Sequence, residues 1–201
     1  MTLTATNADG SGTLALTVTV TLSTGPVITS SAAPTLTTGT AGTFKVTTTG
    51  TAPITIAESG TLPSGVVFKD NGNGTATLSG TPAAGTGGVY PVTLTAKNPV
   101  GSTTQALALT VDQPPAFTTA DSATTLGLIP FSFTVKTSGY PAAVLTESGA
   151  LPPGLVFTPG PDGTATISGS TLALLSSYRL TFTATGAAGT ATQVFTLSSV
   201  L

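Results

Sequence analysis

The feature that most constrains this chain is an internal repeat. Glu58-Ser-Gly-Thr-Leu-Pro-Ser-Gly-Val-Val-Phe68 returns as Glu147-Ser-Gly-Ala-Leu-Pro-Pro-Gly-Leu-Val-Phe157, an offset of 89 residues. Asn73-Gly-Thr-Ala-Thr-Leu-Ser-Gly80 returns as Asp162-Gly-Thr-Ala-Thr-Ile-Ser-Gly169 at the same offset. A fixed period means tandem copies of one unit. At this length each copy is large enough to own a core, unlike a short solenoid repeat.

Within each copy, apolar residues alternate with polar ones. Phe44 and Val46, Ile54 and Ile56, and Ala76 and Leu78 follow this pattern. So do Val92, Leu94 and Ala96, then Leu107, Leu109 and Val111. The second copy answers with Phe131, Phe133 and Val135, then Ala165 and Ile167. Leu180, Phe182 and Ala184 follow, and last Phe195 and Leu197. Alternation at period two places one set on a buried face and its threonines toward water. Apolar residues at helical spacing are absent, and glycines and prolines interrupt every window of helical length. Asp70-Asn-Gly-Asn-Gly74 and Pro159-Gly-Pro-Asp-Gly163 supply the positive-φ residues that tight turns need. About seven short strands in ~90 residues predict an all-β fold of tandem immunoglobulin-like β-sandwiches.

The alignment of Pro26-Val-Ile-Thr29 with Pro115-Ala-Phe-Thr118 divides the chain at residues 1–24, 25–113 and 114–201. Asp112-Gln-Pro-Pro115 between the full copies reads as a short, semi-rigid linker. Residues 1–24 read as the final hairpin of a further copy. Thr2-Leu-Thr-Ala5 matches Thr93-Leu-Thr-Ala96, and Leu16, Val18 and Val20 match Leu107, Leu109 and Val111. A lone hairpin is marginal in water. It is therefore either the remnant of a longer array or, through Leu3, Leu14, Leu16, Val18 and Val20, an element that pairs with another chain.

Leu62-Pro-Ser-Gly-Val-Val-Phe68, Gly74-Thr-Ala-Thr-Leu-Ser-Gly-Thr-Pro82 and Gly88-Val-Tyr-Pro-Val-Thr93 together resemble the putative-immunoglobulin repeat of bacterial surface and secreted proteins. The second copy departs from that pattern at Ser170-Thr171, where Thr-Pro is expected. The resemblance implies a module of a stalk, adhesin or multidomain extracellular enzyme, acting there as a spacer or binding accessory.

Composition narrows the chemistry. Only 6% of residues are charged and the net charge is −2, so no basic surface invites nucleic acid or anionic lipid. With no His and no Cys, the commonest general base, the thiolate nucleophile and the usual zinc ligands are missing. No apolar run approaches the ~20 residues of a membrane span, and no signal peptide is recognisable in this segment.

Candidate chemical groups mostly read as structural. Glu58 and Glu147 are expected to cap the Ser-Gly turn that follows them. Asp112 and Asp121 flank the junction but are too few for calcium, which takes six to eight oxygens. Lys45 and Lys136 fall on solvent faces, which disfavours an isopeptide crosslink. The Thr-Val alternation of residues 17–21 reads as a strand's solvent face, not an ice-binding array. Tyr90 and Tyr178 read as structural, leaving Tyr140 as the candidate exposed loop aromatic.

The expected role is non-enzymatic: a spacer or fibre segment at a bacterial surface or outside the cell, without cofactor or metal. The alternatives are a carbohydrate- or protein-binding module and a filament subunit joined through residues 1–24. A hydrolase is disfavoured, because no nucleophile–base pair can be assembled. No nucleic-acid partner and no membrane insertion are expected.

Overall fold

The structure, a computed structural model, describes residues 1–171 and 175–200. They hold seventeen strands and no helix. The N-terminal hairpin is β1 (Thr2–Asn7) and β2 (Gly10–Ala15). The first copy contributes β3 (Val27–Ile28), β4 (Thr35–Thr37), β5 (Gly42–Thr49), β6 (Thr55–Gly60), β7 (Val66–Asp70), β8 (Thr75–Gly80) and β9 (Gly88–Asn98). A strand of seventeen residues, β10 (Gly101–Phe117), follows. The second copy adds β11 (Ser122–Leu126), β12 (Phe131–Tyr140), β13 (Val144–Gly149), β14 (Leu155–Pro159), β15 (Thr164–Gly169), β16 (Ser176–Gly186) and β17 (Gly189–Val200).

The first sandwich packs the sheet β3-β5-β8-β7 against β6-β9-β10, with β4 parallel on the free edge of β10. The second packs β11-β17-β16-β13 against β12, β15 and β14. The alternating residues fill two separate cores, as the period-two pattern requires. Val46, Ala76, Leu78, Leu94, Ala96 and Leu109 are completely buried in the first. The second is aromatic: Phe182 and Phe195 lie 5.1 Å apart, centroid to centroid, and both are completely buried. Their counterparts in the first copy are Leu94 and Leu107, so one architecture is filled by two different side-chain sets.

The Leu-Pro-x-Gly block is a tight turn. The Val66 N–H donates to Pro63 O at 3.1 Å and the Leu155 N–H to Pro152 O at 3.1 Å. The turn glycines, Gly65 (φ +88°) and Gly154 (φ +91°), sit in the left-handed region. The first of these turns is then pinned to the start of the next loop, the Thr81 N–H donating to Gly65 O at 3.0 Å and the Ala83 N–H to Ser64 O at 3.0 Å.

Two expectations need correction. The junction between the copies is not a linker. Strand β10 pairs with β9 as the last strand of the first sandwich and then, from Gln113, with β12 as the first strand of the second. Pro114 and Pro115 occupy the register shift between Gln113 and Ala116, where a missing N–H removes no ladder bond. Second, Leu16, Val18 and Val20 do not lie on a strand, since β2 ends at Ala15. The Leu16 N–H makes the last rung to Met1 O at 2.8 Å, and residues 17–24 have no strand opposite them.

Candidate functional site

The places where one unit meets the next carry the densest specific chemistry. At the junction of the two sandwiches, Gln113 faces Tyr140 across the β10–β12 ladder. Its side-chain Oε1 accepts the N–H of Gly85 at 3.0 Å and that of Gly87 at 3.2 Å. One glutamine thus ties the β8–β9 loop of the first sandwich to the first strand of the second. Gly139 (φ +130°) lies against the chain here, so close that a Cβ would stand 3.0 Å from Pro115 Cα. Tyr140 is therefore no free loop aromatic: it ends β12, half-buried, with its Cβ against Gly87.

The hairpin is joined to the first sandwich in the same way. Thr24 and Thr51 stand where Gln113 and Tyr140 stand one repeat later. The Thr24 N–H donates to Thr51 Oγ1 at 2.8 Å, and the Thr51 N–H donates back to Thr24 O at 3.0 Å. Gly50 (φ +132°) repeats the close approach of Gly139, with room for no Cβ beside Gly25 O and Pro26 Cα. Asn98, buried in the β9–β10 turn, completes the seam. Its Nδ2 donates to Thr24 O at 2.8 Å and Thr51 O at 2.9 Å, and its Oδ1 accepts from Val100 and Gly101 N–H. Every polar atom of that amide is used, which is what burial demands.

Sequence reasoning missed Thr24, Thr51, Asn98 and Gln113. Nothing local marks them, although alignment of the junctions at the 89-residue offset would have paired Thr24 with Gln113. A second pair was visible in the same manner. Gln105 and Gln193 occupy equivalent positions on β10 and β17, and their Nε2 atoms donate to Ser30 O (3.2 Å) and Thr119 O (3.1 Å). Each holds the first-strand bend of its own sandwich against the last strand. In the hairpin the matching position is Leu14.

Leu3, Leu14, Leu16, Val18 and Val20 are all exposed, from 39% for Leu16 to 88% for Val20. Every residue of β1 and β2 is exposed as well. The hairpin is held at its base alone.

The remaining candidates resolve into structural positions. Tyr90 Oη donates to Thr86 O at 2.9 Å and its ring packs on the first core; Tyr178 packs on the second. Lys45 and Lys136 are exposed. Asp112 is half-buried and Asp121 exposed, and no group of three potential metal ligands occurs among the described residues.

Glu58 and Glu147 do not cap a turn. Both sit inside strands, opposite Leu94 and Phe182, and the strands continue to Gly60 and Gly149. Glu147 Oε1 is buried with no hydrogen-bond partner, and burial raises the carboxyl above its ordinary value of 4.5. A raised carboxyl stabilises the fold below its unfolded pKa and loses that contribution as pH climbs through the folded value. The variant Glu147→Gln is therefore expected to melt slightly higher than the parent at pH 7 and to match it near pH 4, in thermal scans at both pH values.

A cleft of about 480 Å³ opens between the β5–β6 and β7–β8 loops, lined by Thr48, Gly50, Pro53, Ile54, Asn73 and Gly74 among others. Its lining includes no charged and no aromatic side chain. It has nothing to stack on a sugar ring or to pair with a charged ligand.

Residues 25–112 match the family model described as Putative Ig domain. The first repeat is thus similar to that family. Proteins carrying this domain are often extracellular, and the fold is generally non-enzymatic. Among solved structures, a mutated three-Ig fragment of titin is similar at 23% identity and a TM-score of 0.59, over 88% of this chain and 66% of that one. Another titin fragment matches at 13% identity and a TM-score of 0.59, over 88% of this chain and all of that one. Immunoglobulin domains 1–4 of Sidekick-1 match at 14% identity and a TM-score of 0.57, over 98% of this chain and 57% of that one. At these identities the likeness shows the fold, a tandem of Ig domains. The chain spans just under two thirds of the three-Ig titin fragment. No curated protein matches it in sequence. No described helix is long and apolar enough to cross a membrane, a statement that leaves β-barrels aside.

Proposed function

We propose that this chain is a non-enzymatic spacer: a stiff run of Ig-like repeats in a bacterial surface or extracellular protein, such as an adhesin stalk or fibre. The observation that carries the reading is β10. One strand closes the first sandwich and opens the second, its pairing with β9 ending at Val111 and its pairing with β12 starting at Gln113, so no slack coil separates the repeats. Gln113 and the close approach of Gly139 to Pro115 restrain the same seam. Sparse charge suits a passive segment, because it gives polyelectrolytes little to hold.

The test is the distance distribution between probes placed in the two repeats, measured by double electron–electron resonance. The parent chain is expected to give one narrow distribution. Inserting five Gly/Ser residues after Gln113 should broaden it toward the ~12 Å spread of a flexible tether of that length. Gly139→Val, whose side chain meets Pro115 and whose φ it disfavours, should broaden it less. A parent distribution already as wide as that of the insertion variant would sink the spacer reading. The binding-module alternative finds no support in the cleft described above. The assembly alternative does have an observation in its favour, the exposed hairpin.

A further inference from the structure

The turn between β7 and β8 is built for a reaction that needs no partner except water. The chain has four asparagines, and two of them, Asn71 and Asn73, are each followed by glycine. Glycine leaves its own amide nitrogen unshielded, with no Cβ beside it. That nitrogen can attack the side-chain carbonyl carbon of the preceding asparagine and close a cyclic imide. Asn98 is excluded, because Pro99 has no N–H to lose. Asn7 is followed by Ala8, whose methyl group hinders the same approach.

The two Asn-Gly steps differ in what holds them. Asn71 is tied at both atoms of its amide. Its Nδ2 donates to Thr75 Oγ1 and Thr77 Oγ1, each at 3.0 Å, and its Oδ1 accepts from Thr77 Oγ1 at 3.4 Å. The nitrogen that would attack it is tied as well, since the Gly72 N–H donates to Asp70 Oδ1 at 3.0 Å. The Asp70 carboxylate opposes the negative charge that an ionising amide would gain. Asn73 is the reverse case. It is exposed, and its Oδ1 accepts from the Thr75 N–H at 3.2 Å and from Thr75 Oγ1 at 2.7 Å. Among the described residues, nothing accepts the Gly74 N–H. Two donors thus converge on the oxygen where charge develops as the nitrogen adds, the arrangement that stabilises an acyl-transfer intermediate. The Thr75 hydroxyl is itself polarised, because it accepts from Asn71 Nδ2 while donating to Asn73.

We propose that Asn73 is a self-modification site, losing its side-chain amide through attack by Gly74 while Asn71, two residues away, is protected. The bond from Gly74 N to Asn73 Cγ forms, the Cγ–Nδ2 bond breaks, and ammonia leaves with the proton of the Gly74 N–H. Water then opens the imide at either carbonyl, giving aspartate or isoaspartate at position 73. The second repeat already has Asp162 at the equivalent position, between the paired strands β14 and β15, so the fold accepts a carboxylate there. Isoaspartate adds a methylene to the main chain of a turn closed by the Asn71 N–H on Thr75 O at 2.9 Å. The same turn is tied to β5, where Thr48 Oγ1 donates to Gly74 O at 2.7 Å. Either product sets a negative charge on the wall of the cleft, whose lining otherwise holds none. The proposal stands apart from the spacer reading, since either could fail alone.

The test ages the full 201-residue chain in mildly alkaline buffer, folded and in urea. Peptide mapping follows the amide-to-acid mass gain at each asparagine, and labelling by isoaspartyl methyltransferase identifies isoaspartate. In urea the two sites should convert at similar rates, both being Asn-Gly steps of an open chain. In the folded chain Asn73 should outpace Asn71 at least ~10-fold, the equivalent of one hydrogen bond to a charged group. Thr75→Val removes the donor hydroxyl and should slow Asn73 about tenfold. A turn merely loosened by that substitution would instead speed both sites, and that result would overturn the proposal. So would equal rates in the folded chain, faster conversion at Asn71, or an Asn73 still intact when the urea sample has fully converted.

Discussion

Replacing Phe182 by alanine is expected to melt the second repeat at least roughly 12 °C lower while leaving the first in place. The ring is completely buried at the centre of an aromatic set. It stacks on Phe157 at 5.8 Å and 19°, and it meets Phe195 at 5.1 Å and Phe117 at 6.4 Å. Emptying such a site costs about 3–5 kcal/mol, a large part of the ~5–15 kcal/mol that holds a domain together. In a domain of this size each kcal/mol moves Tm by about 4–8 °C. The first repeat keeps its own aliphatic core, and Phe182 is not among the residues that form it. Phe182→Leu, which installs the residue found at Leu94, should cost much less because more of the volume remains filled. Calorimetry of the three proteins checks this. Two transitions moving together in Phe182→Ala would show that β10 couples the sandwiches into one cooperative unit.

Gly65→Ala is expected to destabilise the first repeat at least twice as much as Gly72→Ala. The two glycines have similar backbone, φ +88° and φ +76°, so both variants bear the left-handed penalty of roughly 1–2 kcal/mol. They differ in what a methyl group would touch. Beside Gly72 there is nothing within 4 Å, whereas at Gly65 the new carbon would be driven into the carbonyl of Thr81. That carbonyl belongs to the residue whose N–H is bonded to Gly65 O, so the clash cannot be relieved without opening the turn. Urea denaturation of the two variants gives the comparison. Equal losses would mean that the motif needs its glycine for φ alone.

The Asp70-Asn-Gly-Asn-Gly74 run shows how much could be read ahead of the coordinates. Its glycines pointed to a tight turn, and Gly72 (φ +76°) and Gly74 (φ +76°) supply the left-handed backbone between β7 and β8. The alternation of Leu107, Leu109 and Val111 was equally legible, because every second residue of a paired strand faces the same way. The same alternation misled at Leu16, Val18 and Val20. The pattern is intact there, yet β2 ends at Ala15 and Leu16 makes the last rung, to Met1. Glu58 and Glu147 misled for a related reason. A carboxylate before Ser-Gly looks like a turn cap, yet the ladder with β9 and β16 keeps that segment extended.

The sequence by itself determined the all-β class, the two full copies, the turn glycines and many of the residues that fill each core, though not Leu36, Val66, Leu145 or Leu155. These rest on spacing along the chain, and spacing survives without coordinates. Only the tertiary structure decided the seams. Gln113 reaches Gly85 and Gly87, and Asn98 reaches Thr24, across 74 residues in the latter case. Pro114 and Pro115 suggested a linker, yet became the crossing point of one strand, because the sheets on either side supply the ladder that two prolines lack. A hydrogen bond between distant residues depends on where the fold carries them, and no local pattern encodes that.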